Sequence, residues 1–344
     1  MKVSVLLRAW ACVLSGRTPS LSIELTRECP LRCPGCYAYE DLHLGSPSLT
    51  LRQLADFKGN SLVQGVLKLI DEHRPLHVSL VGGDPLVRFR ELEELLPELD
   101  RHGIRVQLVT SAFRTIPVDW NALRGLDVVV SVDGLQPEHD VRRRPATYDR
   151  ILKNVAGTKI TVHCTITGQL MNRSGYLEDF ARFWSGRTET KRIWFSLFTP
   201  QRRAEAAEIL TPNQRSRAIA ELMRLRTAYP LIDMPERMIR EFRNPPASPQ
   251  DCIFARTTLS VSADLRTRIM PCQFGGDPDC SQCGCAASMG LAGIGHYQLL
   301  PGVTAGQLFA VSEMIGSGVK RLRRRRNFSD SSDLMQIEEE RKVA

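Results

Sequence analysis

Three cysteines, Cys29, Cys33 and Cys36, stand within eight residues in the string RECPLRCPGCYAYE at 27–40. Two prolines and a glycine in this string disfavour a regular helix or strand, so we expect a loop. A loop lets the three sulfur atoms converge on one point, an arrangement typical of metal ligation. Three ligands leave one position of the metal without a nearby protein ligand, whereas a structural zinc site closes all four. The spacing therefore favours an iron–sulfur cluster over zinc.

Between residues 21 and 200, short apolar runs alternate with segments of helical length. The runs are LSIEL (21–25), HVSLV (77–81), RVQLV (105–109), DVVVSV (127–132), KITVHCTI (159–166) and RIWFSLF (192–198). The helical segments are Leu49–Glu72, Arg90–Arg101, Tyr148–Val155, Gly175–Trp184 and Thr211–Ala228. Near-continuous apolarity indicates strands covered on both faces. Six such units predict an α/β fold with a parallel sheet, either curled into a barrel or doubly wound.

Unusual residues follow the predicted strands at their carboxyl ends. The cysteine string follows the first strand, GGDP the second, TSA the third and TGQLMN the fifth, while SVDG closes the fourth. Carboxyl ends of parallel strands form the functional edge of both architectures. We therefore expect the chemistry of this protein at that edge.

A second group of cysteines follows a proline-rich link after Tyr229. Two short strands are predicted around the turn SADL. The cysteines that flank and follow this hairpin are Cys252, Cys272, Cys280, Cys283 and Cys285. A segment this small buries little core, so ligation of a metal or cluster would explain its stability. Zinc is a competitor here, because two cysteines separated by two residues form a familiar zinc knuckle.

Composition limits the classes of protein to consider. Eight of the ten cysteines fall in these two groups, and Cys12 and Cys164 stand alone. This usage suits a reducing cytoplasm better than secretion. Arg8 interrupts the first apolar run, so neither a signal peptide nor a membrane span is expected. The net charge of +8 owes much to the basic run at 320–326, which with the polar tail is predicted to be disordered.

The string CPLRCPGCY after the first strand resembles the signature of the radical S-adenosylmethionine (radical SAM) superfamily. The resemblance covers residues 20–200 and implies a partial (β/α)6 TIM-like barrel with parallel strands. It also implies that Cys29, Cys33 and Cys36 hold a [4Fe-4S] cluster whose fourth iron binds S-adenosylmethionine (SAM). Such enzymes take an electron from a donor such as flavodoxin or ferredoxin. They cleave SAM reductively to a 5'-deoxyadenosyl radical, which attacks an unactivated carbon of the substrate.

The same resemblance assigns SAM-binding residues. The expected contacts are Tyr37, Gly82, Gly83, Asp84, Ser131, Asp133 and Asn172. Asp84 stands where the family has a glutamate, and its carboxylate still complements the SAM ammonium group. Asp133 is also explained by a plain turn, and Asn172 by a helix cap. The segment with the consecutive arginines 142–144 is explained by a solvated loop leading into a helix, and contact of these arginines with an anionic group on the substrate is the alternative. No catalytic acid, base or nucleophile is assigned.

The C-terminal cysteines resemble the beginning of a SPASM or shorter twitch extension. This resemblance implies an auxiliary [4Fe-4S] cluster held by four of Cys252, Cys272, Cys280, Cys283 and Cys285, and which one is spare stays open. The family places a glycine in the hairpin turn where this chain has Leu265. Seven cysteines of the full SPASM pattern are reduced to five. The expected segments are an amphipathic lead (1–20), the partial barrel (21–230), the cysteine-rich extension (231–318) and the tail (319–344).

Three functions remain open at this stage. A peptide or protein substrate is favoured, because cluster-bearing extensions are common among peptide-modifying members of the family. A lipid or isoprenoid substrate is the alternative, with peripheral membrane contact through the amphipathic segment Val3–Leu14. A non-enzymatic zinc and nucleic-acid binding protein is the third interpretation, suggested by the basic tail. An aromatic content of 6% is low for base stacking, so no specific nucleic-acid partner is expected.

Overall fold

Seven parallel strands form the central sheet of the computed structural model, which describes residues 3–40, 42–45, 48–145 and 148–322. The strands are β1 (Ser20–Glu24), β2 (His77–Val81), β3 (Arg105–Thr110), β4 (Leu126–Ser131), β5 (Ile160–Ile166), β6 (Thr190–Leu197) and β7 (Thr258–Val261). Their order across the sheet is β6-β5-β4-β3-β2-β1-β7, with parallel neighbours throughout. Two short strands, β8 (Gln298–Leu300) and β9 (Val303–Thr304), form a separate antiparallel pair.

Helices between the strands pack on one face of the sheet. The expectation of strands covered on both faces is wrong: in β3, Val106 and Leu108 belong to the core shared with the helices, whereas Gln107 between them is only half-buried on the other face. The helices are α1 (Val3–Leu14), α2 (Asn60–His73), α3 (Phe89–Arg101), α4 (Glu138–Arg142), α5 (Tyr148–Asn154), α6 (Gly168–Met171), α7 (Tyr176–Ser185), α8 (Pro212–Ala228), α9 (Glu236–Glu241), α10 (Ile253–Thr257) and α11 (Ala286–Gly295). Residues 305–322 are also helical and are called α12. The largest buried side chains include Trp184, Phe180 and Phe195, which lie between α7 and β6.

The predicted fold class is confirmed. All six predicted strands are present within two residues of their expected limits, and their parallel order matches a partial barrel that is open between β6 and β7. The predicted helix Leu49–Glu72 is shorter than expected, because α2 begins only at Asn60. Gly59 precedes it with a φ of +57°, a left-handed conformation that a regular helix does not continue through. Residues Leu51–Gln53 form a separate short 3-10 turn.

The C-terminal extension joins the main sheet instead of forming its own hairpin. β7 pairs with β1 in parallel, with Ser20 opposite Thr258. The second half of the expected hairpin is reduced to one antiparallel bridge, between Val261 and Arg268. An uncovered β1 would leave a row of unpaired backbone groups at a sheet edge, and β7 removes that edge.

Leu265 lies at the turn where the family pattern has glycine, and its backbone keeps the conformation that glycine favours. Its φ is +57°, in the left-handed region. The side chain is only 9% exposed and packs over α2, where a Cβ on Gly65 would lie 2.5 Å from the Leu265 Cδ1 atom. Burial of the leucine side chain therefore offsets a backbone strain of about 1–2 kcal/mol.

The two ends of the described chain pack on each other. The Trp10 ring of α1 lies 5.7 Å from the Phe309 ring of α12. The backbones meet closely at Gly16 and Gly316, where a Cβ on Gly16 would lie 2.5 Å from the Gly316 carbonyl oxygen. Of the tail predicted to be disordered, residues 319–322 continue α12, and 323–344 lie outside the described residues. None of the described helices has the length and apolarity that crossing a membrane requires.

Two substitutions test the strained turn at Leu265. Both Leu265→Ala and Leu265→Gly remove the buried side chain, but only glycine relieves the positive φ. We expect the alanine variant to be less stable than the glycine variant by about 1 kcal/mol. Urea unfolding of both purified proteins measures this order. The opposite order, which is normal where φ is negative, would contradict the conformation described here.

Candidate functional site

Two glycines bring the loop after β2 against the loop after β1. Gly82 and Gly83 have φ values of +81° and +49°. A Cβ on Gly82 would lie 2.2 Å from the Cβ of Glu24, and one on Gly83 would lie 2.1 Å from the carbonyl oxygen of Glu28. The Asp84 backbone N–H donates to that same carbonyl at 2.9 Å. Only glycine fits at either position, so the two loops form one surface at the carboxyl end of the sheet.

The first cysteine group occupies the loop after β1, as predicted. None of the three thiols is in a disulfide, and all are half-buried. Burial raises the pKa of the Cys29 thiol to about 12, although its sulfur accepts a hydrogen bond from the Leu31 N–H at 3.4 Å. Burial likewise raises the pKa of Cys36. Without a metal these two thiols are neutral at pH 7, and ligation of iron would release their protons.

A half-buried arginine lies close to this loop. The Arg32 backbone N–H donates to the Arg144 carbonyl at 2.6 Å, which holds the cysteine loop against residues 142–144. Burial lowers the pKa of the Arg143 guanidinium, but the charge of Asp133 outweighs it, with further contributions from the thiolate forms of Cys33 and Cys36, and the pKa is raised. Arg143 therefore supplies a positive charge beside two of the three candidate cluster ligands.

Asp133, an expected SAM contact, is paired with two of the consecutive arginines. Its carboxylate accepts from the Arg143 Nε at 2.8 Å, and the Arg142 Nε lies 3.6 Å away. The Thr165 N–H donates to its other oxygen at 3.0 Å. Burial alone raises the pKa of Asp133, but these cations outweigh it and the pKa lies well below its usual range. The role of Asp133 toward SAM stays a prediction.

Asp84 lies at the predicted strand end and is 2% exposed. One carboxylate oxygen accepts from the Leu86 N–H at 3.1 Å and from the Thr110 hydroxyl at 2.7 Å. The other accepts from the N–H and the hydroxyl of Ser111, at 2.8 and 2.5 Å. Burial raises the pKa of Asp84, and these four hydrogen bonds oppose that rise. A carboxylate has about four acceptor positions, so the SAM ammonium contact predicted for Asp84 would share or replace one of these donors.

The remaining expected contacts lie in different surroundings. Ser131 ends β4, is 7% exposed and stands opposite His163 of β5. Asn172 is exposed, and its amide oxygen accepts from Gln214 of α8 at 2.9 Å. Ser131 thus faces the same edge as Asp133, whereas the contacts of Asn172 tie it to α8.

Tyr37 follows the third cysteine and packs against the C-terminal extension. Its ring lies 5.3 Å from the Phe274 ring, edge to face, and 5.7 Å from the His43 ring. His43 in turn bonds Glu24, the last residue of β1, at 2.8 Å. Burial lowers the pKa of His43, but the hydrogen bond and charge of Glu24 outweigh it and the pKa is raised.

The five cysteines of the extension line one cavity, together with Thr199, Phe274 and Ser288. The loop that carries three of them is fixed to the carboxyl end of β6: the Leu197 N–H donates to the Gly284 carbonyl at 2.9 Å. A Cβ on Gly284 would lie 2.0 Å from the Leu197 carbonyl oxygen. Both cysteine groups therefore lie at the same edge of the sheet.

The chemistry of this cavity suits thiolate ligands. Cys252 Sγ lies 3.1 Å from the Ser288 hydroxyl, and the Gln273 amide donates to Cys285 Sγ at 3.8 Å. Burial raises the pKa of Cys272 to about 12 and that of Cys280 to about 11. In the described part of the chain, no three His, Cys, Asp or Glu side chains are close enough to hold a single metal ion. The donor set fits a thiolate-bound group in both cysteine groups.

The sequence did not predict the roles of three residues at this edge: the buried Glu24 and His43, and the half-buried Arg143 beside the cysteine loop. Glu24 carried a signal, because it is the one charge in the otherwise apolar run LSIEL and is 1% exposed. His43 carried none, since it stands in a polar segment yet is 0% exposed.

Comparison with known proteins identifies the central domain. Residues 23–173 match the family model described as Radical SAM superfamily. The chain therefore carries a radical SAM domain over these residues, which confirms the resemblance and supports an enzyme over the non-enzymatic interpretation. Members of this family bind a [4Fe-4S] cluster together with SAM, so that predicted cofactor pair is confirmed.

Individual relatives cover the chain to different extents. A segment of 96 residues is 35% identical to PqqA peptide cyclase of Streptomyces rochei and spans 28% of this chain and 24% of that protein. The fold resembles native anSMEcpe with bound AdoMet, with a TM-score of 0.53, 16% identity and coverage of 74% and 75% of the two chains. It also resembles Streptococcus suis SuiB bound to precursor peptide SuiA, with a TM-score of 0.50, 16% identity and coverage of 79% and 63%. At such identities the two structures show the fold alone.

Asp84 provides a test of the SAM site. We expect Asp84→Ala to weaken SAM binding about tenfold or more, because a charge-assisted hydrogen bond contributes about 1.5–3 kcal/mol. Anaerobic calorimetric titration of the reconstituted protein with SAM measures the dissociation constant.

The matched control is Ser111→Ala, which removes one protein donor from Asp84 but keeps its carboxylate. We expect its SAM dissociation constant to stay within about twofold of wild type. If Ser111→Ala weakens SAM binding as much as Asp84→Ala, Asp84 acts by shaping the loop and not by meeting the ammonium group.

Proposed function

We propose that this radical SAM enzyme uses reductive cleavage of SAM to modify an unactivated carbon of a peptide or protein. The observation that carries this proposal is the position of the second cysteine group. Its five cysteines line one cavity at the carboxyl end of the sheet, where the loop with the first three cysteines also lies. Phe274 of the second group's loop contacts Tyr37 of the first. A relative with a matching segment is named a peptide cyclase, and a protein of similar fold is bound to a precursor peptide.

The residues at this edge of the sheet have different proposed roles. Cys29, Cys33 and Cys36 would hold the cluster, which when bound supplies the electron that cleaves SAM. Asp84 would meet the SAM ammonium group, and Arg143 would stabilise the negative charge of the ligated thiolates. The closely packed loops keep water from the reacting atoms and hold SAM and the substrate in contact.

The second cysteine group would hold an auxiliary [4Fe-4S] cluster. The five cysteines that line the cavity supply the four thiolates that such a cluster takes. Four thiolates also suit zinc, and the resemblance to SPASM or twitch extensions supports the cluster over zinc. Ligands that must stay reduced are consistent with a cytoplasmic location and a flavodoxin- or ferredoxin-type electron donor.

A lipid or isoprenoid is the second candidate substrate. The observation that favours it is the exposed apolar surface of α1, where Leu7 is 55% and Leu14 39% exposed. An interfacial helix of this kind would bring the enzyme to a membrane surface.

Removing the first three cysteines tests the SAM reaction. A variant with Cys29, Cys33 and Cys36 all changed to alanine should form no 5'-deoxyadenosine from SAM with dithionite, because no cluster remains to deliver an electron. Chromatography of the anaerobic reaction measures this product. SAM cleavage at the wild-type rate in the triple variant would overturn the proposal.

Metal analysis tests the second site. The reconstituted wild type should contain about eight irons per chain, and the triple alanine variant about four, since each cluster holds four. Four irons together with one tightly bound zinc in the wild type would show that the second group is a zinc site. The SAM reaction proposed for the barrel would survive that result.

A further inference from the structure

A buried ion pair lies between the two cysteine groups, and the proposed reaction gives it no role. The Glu24 Oε1 atom and the His43 Nε2 atom are 2.8 Å apart, and these residues are 1% and 0% exposed. The Ser262 hydroxyl, which follows β7, donates to the other Glu24 oxygen at 2.5 Å. Burying such a pair costs several kcal/mol of desolvation, so an apolar pair would serve packing alone at least as well. Hydrogen bonds have a preferred direction, so a role in fixing the positions of neighbouring groups explains this buried pair better than packing does.

The second nitrogen of His43 connects the pair to the extension. His43 Nδ1 lies 3.0 Å from the Phe274 carbonyl oxygen, two residues after Cys272. Both ring nitrogens face oxygen acceptors, so the ring satisfies both contacts by donating from each nitrogen. Gly275 allows this approach, because a Cβ there would lie 1.9 Å from the His43 carbonyl oxygen. The position of the Phe274 loop is therefore fixed by His43.

The other side of the pair reaches the SAM loops. Tyr37, directly after Cys36, packs on the His43 ring at 5.7 Å. The Glu24 side chain fills the space beside Gly82, where a Cβ would lie 2.2 Å from Glu24. One buried pair thus contacts the cysteine loop, the glycine loop and the loop of the second cysteine group.

We propose that His43 is a positioning residue that couples SAM binding at the first site to metal loading at the second. A metal bound at Cys272 would fix the position of the Phe274 carbonyl, to which His43 is bonded. A fixed His43 ring in turn fixes the positions of Tyr37 and Glu24, which it contacts. The coupling is reciprocal, so SAM also favours loading of the second site. The proposal rests on the proposed function only in needing SAM at the first site, and it holds whether the second metal is iron or zinc.

The experiment measures SAM dissociation constants by anaerobic titration in a double-mutant cycle. Changing Cys252, Cys280 and Cys283 together to alanine leaves two of the five cavity thiols, too few to hold a cluster or a structural zinc, and so empties the second site. His43→Gln keeps a donor at the position of Nε2 for Glu24 but has no group at the position of Nδ1, so it removes only the contact with Phe274. With His43 present, we expect loss of the second metal to raise the SAM dissociation constant about fivefold or more. In the His43→Gln protein, the same loss should raise it less than about twofold.

Two further variants keep the test decisive. His77→Gln changes a histidine at the opposite, amino end of β2 and should leave the fivefold coupling intact. Gly275→Ala pushes the Phe274 loop away from an unchanged His43 and should abolish the coupling even if His43→Gln fails to fold. A purely structural role would weaken SAM binding equally with and without the second metal.

Two results overturn the proposal: SAM affinity that does not depend on the second metal in wild type, or coupling that persists in His43→Gln or Gly275→Ala. Failure of the proposed function has a different signature, since wild type would then bind no SAM at all.

Discussion

The site depends on the contact between the backbone of Gly83 and the carbonyl oxygen of Glu28. These atoms are so close that any side chain on residue 83 would collide, and the Asp84 N–H is bonded to the same carbonyl. Parallel pairing of β1 with β2 brings the two loops to the same edge, and the glycines let them touch. The place of the cysteine loop relative to Asp84 is therefore set by backbone contact, which side-chain motion cannot loosen.

Electrostatics of the edge follow from its burial. Cys29 and Cys36 resist ionisation as free thiols, whereas Asp133 stays ionised because Arg143 and Arg142 lie beside it. The positive charge of Arg143, which pairs with Asp133, also acts on the thiolate forms of two candidate ligands, Cys33 and Cys36. Ligation by iron would replace the thiol protons with metal charge, which makes metal loading dependent on pH.

The strands and the cysteine loop were predictable because each carries its signal locally, as an apolar run or as proline and glycine between cysteines. The position of β7 was not, since it depends on whether β1 has an unpaired edge, which the local sequence does not state. The turn SADL was predicted, but the left-handed conformation of Leu265 in it was not, because burial of its side chain on α2 compensates for a conformation usually marked by glycine. His43 depends on a carboxylate 19 residues away and a carbonyl 231 residues away, contacts visible only in the folded chain.

The parallel pairing of β7 with β1 also has a consequence for folding. Ser20 pairs with Thr258, so this ladder joins two segments that are far apart in the sequence. Pairings of such sequence separation form slowly, because a long loop must close before the contacts form. During synthesis β1 is made before β7, and the outer edge of β1 has no partner until β7 leaves the ribosome. The two cysteine groups, which lie at the carboxyl end of the sheet, are therefore brought together late. Until then the nascent chain exposes the unpaired side of β1 to chaperones and to other chains.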